Sequence, residues 1–199
     1  NGRVAIYSAN AGLHIASSIL PSGNTGARSD NAVDIGNTNF RFKDLYLSGG
    51  VYLGGTGSAN KLDDYEEGTH QVTMTGSTSG TATLNSNLDT ITFRKIGSVV
   101  HVQGRIQLSS VNGASGRVRI SLPFSAVSTT DDGTALLTAV VYGGSKIDSG
   151  EGTIIWEIFE SQNVANLYYS DGQTVADVSF TTHVDNDAVV GISGSYITT

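Results

Sequence analysis

The sequence predicts an all-β protein in two parts, an intertwined fibrous stem of short strands over residues 1–67 and a β-sandwich, jelly-roll-like head over residues 68–199. Three observations support this fold class. A six-residue unit occurs twice over residues 45–56 (LYLSGGVYLGGT). Residues 70–199 alternate apolar and polar side chains at the period of a half-buried strand. No window sustains the apolar spacing of a helix over more than two turns.

The stem prediction depends on the repeated unit at residues 45–50 and 51–56. Each unit is an apolar, aromatic, apolar triplet closed by small residues, which is too short to bury its own faces and too rich in glycine for a helix. Ordering the backbone costs about 1–2 kcal/mol of conformational entropy per residue. The few apolar side chains of this segment cannot offset that cost within one chain. Identical chains around a symmetry axis can bury such strands together. The sequence therefore predicts a fibrous homo-oligomer.

Composition excludes several classes of protein. The chain has 25 Gly, 2 Pro and no Cys, so disulfides, thiolate nucleophiles and zinc-thiolate sites are excluded. The net charge of −7 argues against nucleic acid as a partner, because neutralising phosphates requires clustered Lys and Arg. No run approaches the roughly 18 apolar residues of a membrane span, so membrane insertion is not expected. The chain begins at Asn1 without Met, and we interpret it as a piece of a longer protein.

An acidic junction at residues 61–69 separates the two parts. It contains four carboxylates in five residues, followed by glycine: Asp63, Asp64, Glu66, Glu67 and then Gly68. We interpret it as a solvated linker, either a hinge or a single helical turn ended by the glycine. The alternative is a hydrolase site, because two acids can divide the acid and base roles. The linker is favoured, since acidic runs usually face water.

The head prediction depends on about ten candidate strands in 130 residues, a spacing typical of a sandwich or jelly roll. They cover residues 90–96, 99–108, 116–122, 135–142, 153–159, 165–169, 176–181 and 189–197, with a weaker pair at 71–75 and 81–84. Residues 111–116 and 168–173 are predicted to be hairpin connections, because Asn-Gly and Asp-Gly adopt positive φ readily.

Catalytic and metal sites have little support in the residues. The four histidines, His14, His70, His101 and His183, are scattered singly, so no Ser-His-acid arrangement is indicated. Residues 182–187 offer oxygen ligands at alternate positions, as calcium prefers, but lack the glycine and the later glutamate of an EF-hand loop. A turn is favoured there, and also at residues 131–133. We expect no catalytic residues, no metal and no cofactor.

Residues 40–69 (FRFKDLYLSGGVYLGGTGSANKLDDYEEGT) resemble a stretch common in distal tail fibres and receptor-binding proteins of tailed bacteriophages. Residues 34–44 resemble fibre-stem units, and residues 75–81 and 93–102 resemble segments of the C-terminal β domain that follows; beyond residue 110 the resemblance is loose. The relatives commonly continue the junction as Gly-Thr-Trp-Thr-Pro, whereas residues 68–72 are GTHQV. The resemblance implies a homotrimeric virion protein, joined to an upstream fibre shaft, whose distal domain meets the bacterial surface.

The candidate receptor-binding or glycan-binding residues are aromatic and short polar side chains in the head: Tyr142, Tyr168, Tyr169 and Asp171. Aromatic rings stack on the C–H face of a sugar, while carboxylates and amides bind its hydroxyls. Tyr168 and Tyr169 are adjacent, so in a strand they point to opposite faces, and one must face outward or into a trimer contact. Trp156 is in phase with Ile154 and Ile158, which favours the core.

These observations favour one function over two alternatives. The chain is expected to be the distal tip of a phage tail fibre, exposed on the outside of the virion. There a homotrimer would bind a host surface glycan or outer-membrane protein at several weak sites without enzymatic activity. One alternative is a fragment of a tailspike-like capsular-polysaccharide depolymerase. The other is a structural cap that ends the fibre and holds its three chains in register.

Overall fold

A computed structural model describes residues 18–23, 25–31, 33–128, 135–143, 152–170 and 172–198. The chain divides into two compact units, residues 1–48 and 49–199. The described large apolar side chains of the first unit are all exposed: Ile19, Leu20, Val33, Ile35, Phe40, Phe42, Leu45, Tyr46 and Leu47. This exposure fits the expectation that the segment cannot bury its own apolar faces. The intertwined stem and its boundary at residue 67 stay predictions.

The second unit is built of β-strands, which confirms the predicted all-β class. Its strands are β1 (Val51–Tyr52), β2 (Lys61–Leu62), β3 (Tyr65–Gln71), β4 (Met74–Gly76), β5 (Thr83–Leu84), β6 (Thr90–Ile96), β7 (Val99–Ser110), β8 (Val118–Ser121), β9 (Ala135–Tyr142), β10 (Thr153–Ile158), β11 (Val164–Ser170), β12 (Val175–Asp177) and β13 (Val189–Ile197). A short 3-10 turn, Ser58–Asn60, precedes β2. Across the described residues, no helix is long and apolar enough to cross a membrane.

One curled, sandwich-like antiparallel sheet forms the head. The strand order is β3-β6-β7-β13-β9-β10-β11-β8-β4, with β5 paired to β7 and β12 to β11. Although β3 and β4 lie at opposite ends of this order, only Val72 and Thr73 separate them in sequence. The ends of the sheet therefore meet. Ser121 of β8 donates its backbone N–H to the Thr73 carbonyl at 2.9 Å, and its Oγ lies 2.9 Å from Nε2 of His70.

The core lies on the inner face of the curl. Alternate residues of β7 point inward and are buried: Val100, Val102, Ile106 and Leu108. The side chain of Trp156 in β10 is fully buried, and its Nε1 donates to the Gly191 carbonyl of β13 at 2.9 Å. Burial with a satisfied N–H makes Trp156 a core residue, as its spacing predicts.

The acidic junction lies mostly in strands, β2 at residues 61–62 and β3 from residue 65, and contains no helical turn. Glu66 and Glu67 lie in β3, opposite Lys95 and Arg94 of β6. Opposite charges facing each other across two strands stabilise the pairing. The local sequence indicates only solvated acids, because the basic partners lie about thirty residues further along the chain. β3 continues through residue 67, where the predicted stem ends.

One of the two predicted hairpins is present. β11 pairs in the antiparallel direction with β12, the next strand in sequence, and Gly172 between them has φ 86°. Residues 111–116 contain a tight turn in which Asn112 and Gly113 adopt φ values of 49° and 75°. However, β8 pairs with β11 and β4, so this turn does not make a hairpin of β7 and β8. Asn-Gly specifies the local reversal but not the strand that pairs next.

Gly104 of β7 allows close packing on β6, and replacing it should destabilise the fold. A Cβ there would lie 2.7 Å from Cγ2 and 3.0 Å from Cα of Ile91, which is buried. Gly104→Ala should therefore lower the free energy of unfolding by about 1–3 kcal/mol. Urea denaturation followed by Trp156 fluorescence measures this. Gly191→Ala is the matched control, since its Cβ would lie 3.7 Å from the nearest atom. An equal loss in both variants would contradict the prediction.

His70 should make the stability of the head depend on pH. Burial lowers its pKa below the ordinary 6.5, while the hydrogen bond with Ser121 acts in the opposite direction. As the pH falls below 6.5, His70 therefore takes up a proton more readily in the unfolded chain than in the folded one. The free energy of unfolding is then highest above pH 6.5 and decreases as the pH falls. The melting temperature should fall more for the native chain than for His70→Gln between about pH 7.5 and 5.5. Identical slopes would argue against a role for His70.

Candidate recognition surface

The outer face of the sheet is polar along β7. The side chains of His101, Gln103, Arg105 and Gln107 alternate with the buried residues of that strand and are exposed or half-buried. On β13, Gly191 and Ser193 lie directly opposite Arg105 and Gln103. The alternation that builds the core therefore also presents a row of hydrogen-bonding side chains to solvent.

Tyr142 stands at the end of β9 on this face and is 44% exposed. The Arg105 guanidinium donates from Nη1 to the Tyr142 hydroxyl oxygen at 3.1 Å. β13 lies between β7 and β9, and Gly191 is the β13 residue opposite both Arg105 and Val140. Gly191 therefore places no side chain on β13 between Arg105 and Val140. We call Arg105 and Tyr142, with Gln103 and Ser193, the recognition surface.

The recognition surface combines an exposed aromatic ring with several hydrogen-bonding side chains. The tyrosine ring offers an apolar face on which the C–H groups of a sugar can stack. The guanidinium presents several donors in a fixed plane, and the amide of Gln103 offers both a donor and an acceptor.

Tyr168, the second predicted site residue, is buried. It is 9% exposed, and the Arg117 guanidinium lies over its ring at 4.5 Å from the ring centroid. Arg117 Nη1 donates to the Tyr168 hydroxyl oxygen and, at 3.0 Å, to Oδ1 of Asp177. Burial raises the pKa of Tyr168, and the positive charge of Arg117 acts against that rise. With Arg117 over it, the ring face is closed to a sugar in this structure.

Tyr169 points to the opposite face of β11 and packs against the core. Its ring centroid lies 5.3 Å from that of His183, at an interplanar angle of 53°. Asp171, the fourth predicted site residue, lies outside the described residues. The structure therefore does not bring the described tyrosines into one site, since Tyr168 and Tyr169 lie two strands away from Tyr142. Whether any of the four predicted residues binds a receptor stays a prediction.

The acidic junction carries ion pairs. Asp63 pairs with Lys61 at 2.9 Å, Asp64 with Lys95, and Glu67 with Arg94 at 3.9 Å. The Tyr65 hydroxyl also donates to Glu67 at 2.7 Å. The hydrogen bond from Lys61 lowers the pKa of Asp63, which suits an ion pair and not a general acid. The ion pairs give Asp63, Asp64 and Glu67 a structural role in this part of the chain.

The described histidines each contact a serine. His70 contacts Ser121, His101 Nδ1 lies 3.1 Å from Ser195 Oγ, and His183 Nδ1 accepts from the Ser179 backbone N–H at 3.0 Å. They lie on different strands and loops, as expected from their scattered positions. His14 lies outside the described residues.

The predicted turn at residues 182–187 is present. Thr181 donates its backbone N–H to the Val184 carbonyl at 2.8 Å, and the Asn186 side chain accepts from the Val111 N–H at 2.9 Å. Within the part of the chain that the structure describes, no three His, Asp or Glu side chains are grouped as metal ligands would be. The other predicted turn, residues 131–133, lies outside that part.

Sequence reasoning did not identify Arg105 or Gly191 as parts of a site. The period-two alternation of residues 99–108 indicates that Arg105 faces outward, so the signal for exposure was present. Its contact with Tyr142 depends on the order β7-β13-β9, which the alternation does not specify.

Comparisons with known proteins identify a similar solved structure but no similar sequence. No protein-family model matches the chain, and no curated protein matches it. The fold is similar to the crystal structure of the Dettilon tailspike protein gp208, with a TM-score of 0.48 and 20% sequence identity. The match covers 66% of this chain and 23% of the tailspike chain. At this level of similarity, no residue role is transferred.

The two arginine-bound tyrosines should differ in their effect on stability. Tyr168→Phe removes a buried acceptor from Arg117, whose Nε already has no hydrogen-bond partner within the described residues. The free energy of unfolding should fall by about 1–2 kcal/mol. Tyr142→Phe removes an exposed hydrogen bond and should cost less than about 0.5 kcal/mol. Urea denaturation of both variants tests this, and an equal or larger cost at Tyr142 would contradict it.

Proposed function

We propose that the chain is the distal tip of a bacteriophage tail fibre, a homotrimer that binds a surface glycan or outer-membrane protein of the host bacterium. The observation that carries the proposal is the exposed Arg105–Tyr142 pair on the polar outer face of the head. The resemblance of residues 40–69 to distal tail fibres adds the context of a virion.

Binding would proceed by adhesion without cleavage. A sugar would stack on the Tyr142 ring while Arg105 and Gln103 bind its oxygen atoms. Such a shallow contact is weak by itself. Three copies at one tip, and several tips on one virion, would multiply the residence time through avidity. The fibre shaft would join the N-terminal side of the chain and place the head on the outside of the virion.

Adsorption to cells tests this proposal. Tyr142→Ala and Arg105→Ala should each reduce binding of the labelled protein to a susceptible strain about tenfold, because each removes a central contact repeated in every copy. Flow cytometry across a panel of bacterial strains measures it. Leu136→Ala, another exposed position of β9, should bind like the native chain. All three variants should melt at nearly the native temperature, since the side chains are exposed.

Two outcomes would contradict the proposal. The first is equal adsorption by the native chain and by both site variants. The second is release of reducing ends from the polysaccharide of the adsorbing strain, abolished by Asp64→Asn or Glu67→Gln. That result would identify a depolymerase instead. A native chain that retains no cell and cleaves no polysaccharide would favour the structural cap.

A further inference from the structure

Four exposed apolar side chains form a continuous row across four neighbouring strands. Tyr65 of β3 lies opposite Ile96 of β6, Ile96 opposite Val99 of β7, and Val99 opposite Ile197 of β13. Residues in register on adjacent strands project from the same face with Cβ atoms about 4.5–5.5 Å apart. All four are between 43 and 56% exposed. We call these residues the apolar row.

Strand β3, where the apolar row begins, lacks cover on both faces. Six of its seven residues are exposed, and only His70 is half-buried. Within the described residues β3 pairs with β6 along one edge, and at its other edge the closing contact with Ser121 of β8 is made by His70, far from Tyr65. A strand with two solvated faces gains little from burial, and an unpaired edge is open to another chain. β3 thus independently indicates a missing neighbour at this end of the sheet.

Exposed apolar groups concentrate in the apolar row and in the segment that directly precedes it in sequence. Eight of the twelve exposed large apolar side chains described in residues 49–199 belong either to the row or to the β1–β2 hairpin that directly precedes β3. The hairpin group is Val51, Tyr52, Leu53 and Leu62. Scattered single residues need no explanation, but a contiguous apolar patch marks an interaction site.

We propose that a second copy of this chain covers the apolar row, with the β1–β2 hairpin taking part in the same contact. The inference deepens the proposed homotrimer and rests on it. Every copy carries both the row and the hairpin, so identical chains supply apolar partners in equal number. A stable interface buries about 800 Å² per partner. Four side chains cannot supply that area alone, so the hairpin is needed.

The charges beside the row favour a second copy over a membrane. Glu67 and Arg94 lie opposite each other, two residues along β3 and β6 from Tyr65 and Ile96. They carry opposite charges, and Arg94 Nε lies 3.9 Å from Glu67 Oε2. Two such faces can exchange ion-pair partners without repulsion. An anionic lipid surface attracts clustered Lys and Arg, whereas this chain carries a net charge of −7.

Sedimentation velocity of the full chain over about 1–50 μM tests the proposal by mass action. The native chain should assemble, and Ile96→Lys combined with Val99→Lys should weaken association at least about tenfold, because charges would be buried in the contact. The matched control is Leu136→Lys with Val140→Lys, two β9 residues that are 63% and 52% exposed and lie outside the row. It should assemble like the native chain.

Two further variants separate loss of association from loss of folding. Ile96→Leu with Val99→Ile keeps the row apolar and should retain assembly. Ile96→Ser with Val99→Ser should weaken association with less effect on folding than the double lysine change. Trp156 fluorescence verifies the fold of each variant, since that side chain is fully buried in the core.

Three results would overturn the proposal. They are a native chain that stays monomeric throughout the concentration range, row variants that associate like the native chain, and a native monomer that binds phosphatidylglycerol vesicles through the row. Adsorption to cells is measured separately with the Tyr142 and Arg105 variants. Failure of the interface and failure of receptor binding are therefore distinguishable.

Discussion

The fold depends on the two-residue link between β3 and β4. These strands occupy opposite ends of the sheet order, so Val72 and Thr73 can join them only if the sheet curls until its ends meet. Ser121 completes the closure through hydrogen bonds with Thr73 and His70. Closure creates an enclosed face, on which Trp156 and the other core side chains are buried, and an outer face that is available for contacts.

The outer face has two regions of different chemistry on the same strands. Val99 begins β7 within the apolar row, and Arg105 lies six residues further along in the recognition surface. At about 3.3 Å per residue, the two positions are about 20 Å apart. Polar and charged side chains, including Glu67 and Arg94, lie next to the row. An association face and a receptor face at this separation would not compete for the same side chains.

Tyr142 and Tyr168 differ in burial, although the sequence alone gives no reason to distinguish them. Tyr142 and Tyr168 each accept a hydrogen bond from an arginine. Arg105 contacts only the hydroxyl of Tyr142, so that ring stays exposed, whereas Arg117 lies over the ring of Tyr168. Neither arginine is near its tyrosine in sequence. Of the candidate site, the sequence could therefore predict the residue types. It could not predict which ring would be covered.

Local alternation in the sequence determined the all-β class, and the predicted bounds of β6, β9 and β13 agree with the structure to the residue. Period-two alternation fixes which side chains share a face, and nearby turn residues limit each strand. Tertiary structure alone decided the pairing of β8 with β11 rather than β7, and the pairing of Glu67 with Arg94. Strand pairing is a contact between distant segments, and neither turn chemistry nor a local run of charges carries that information.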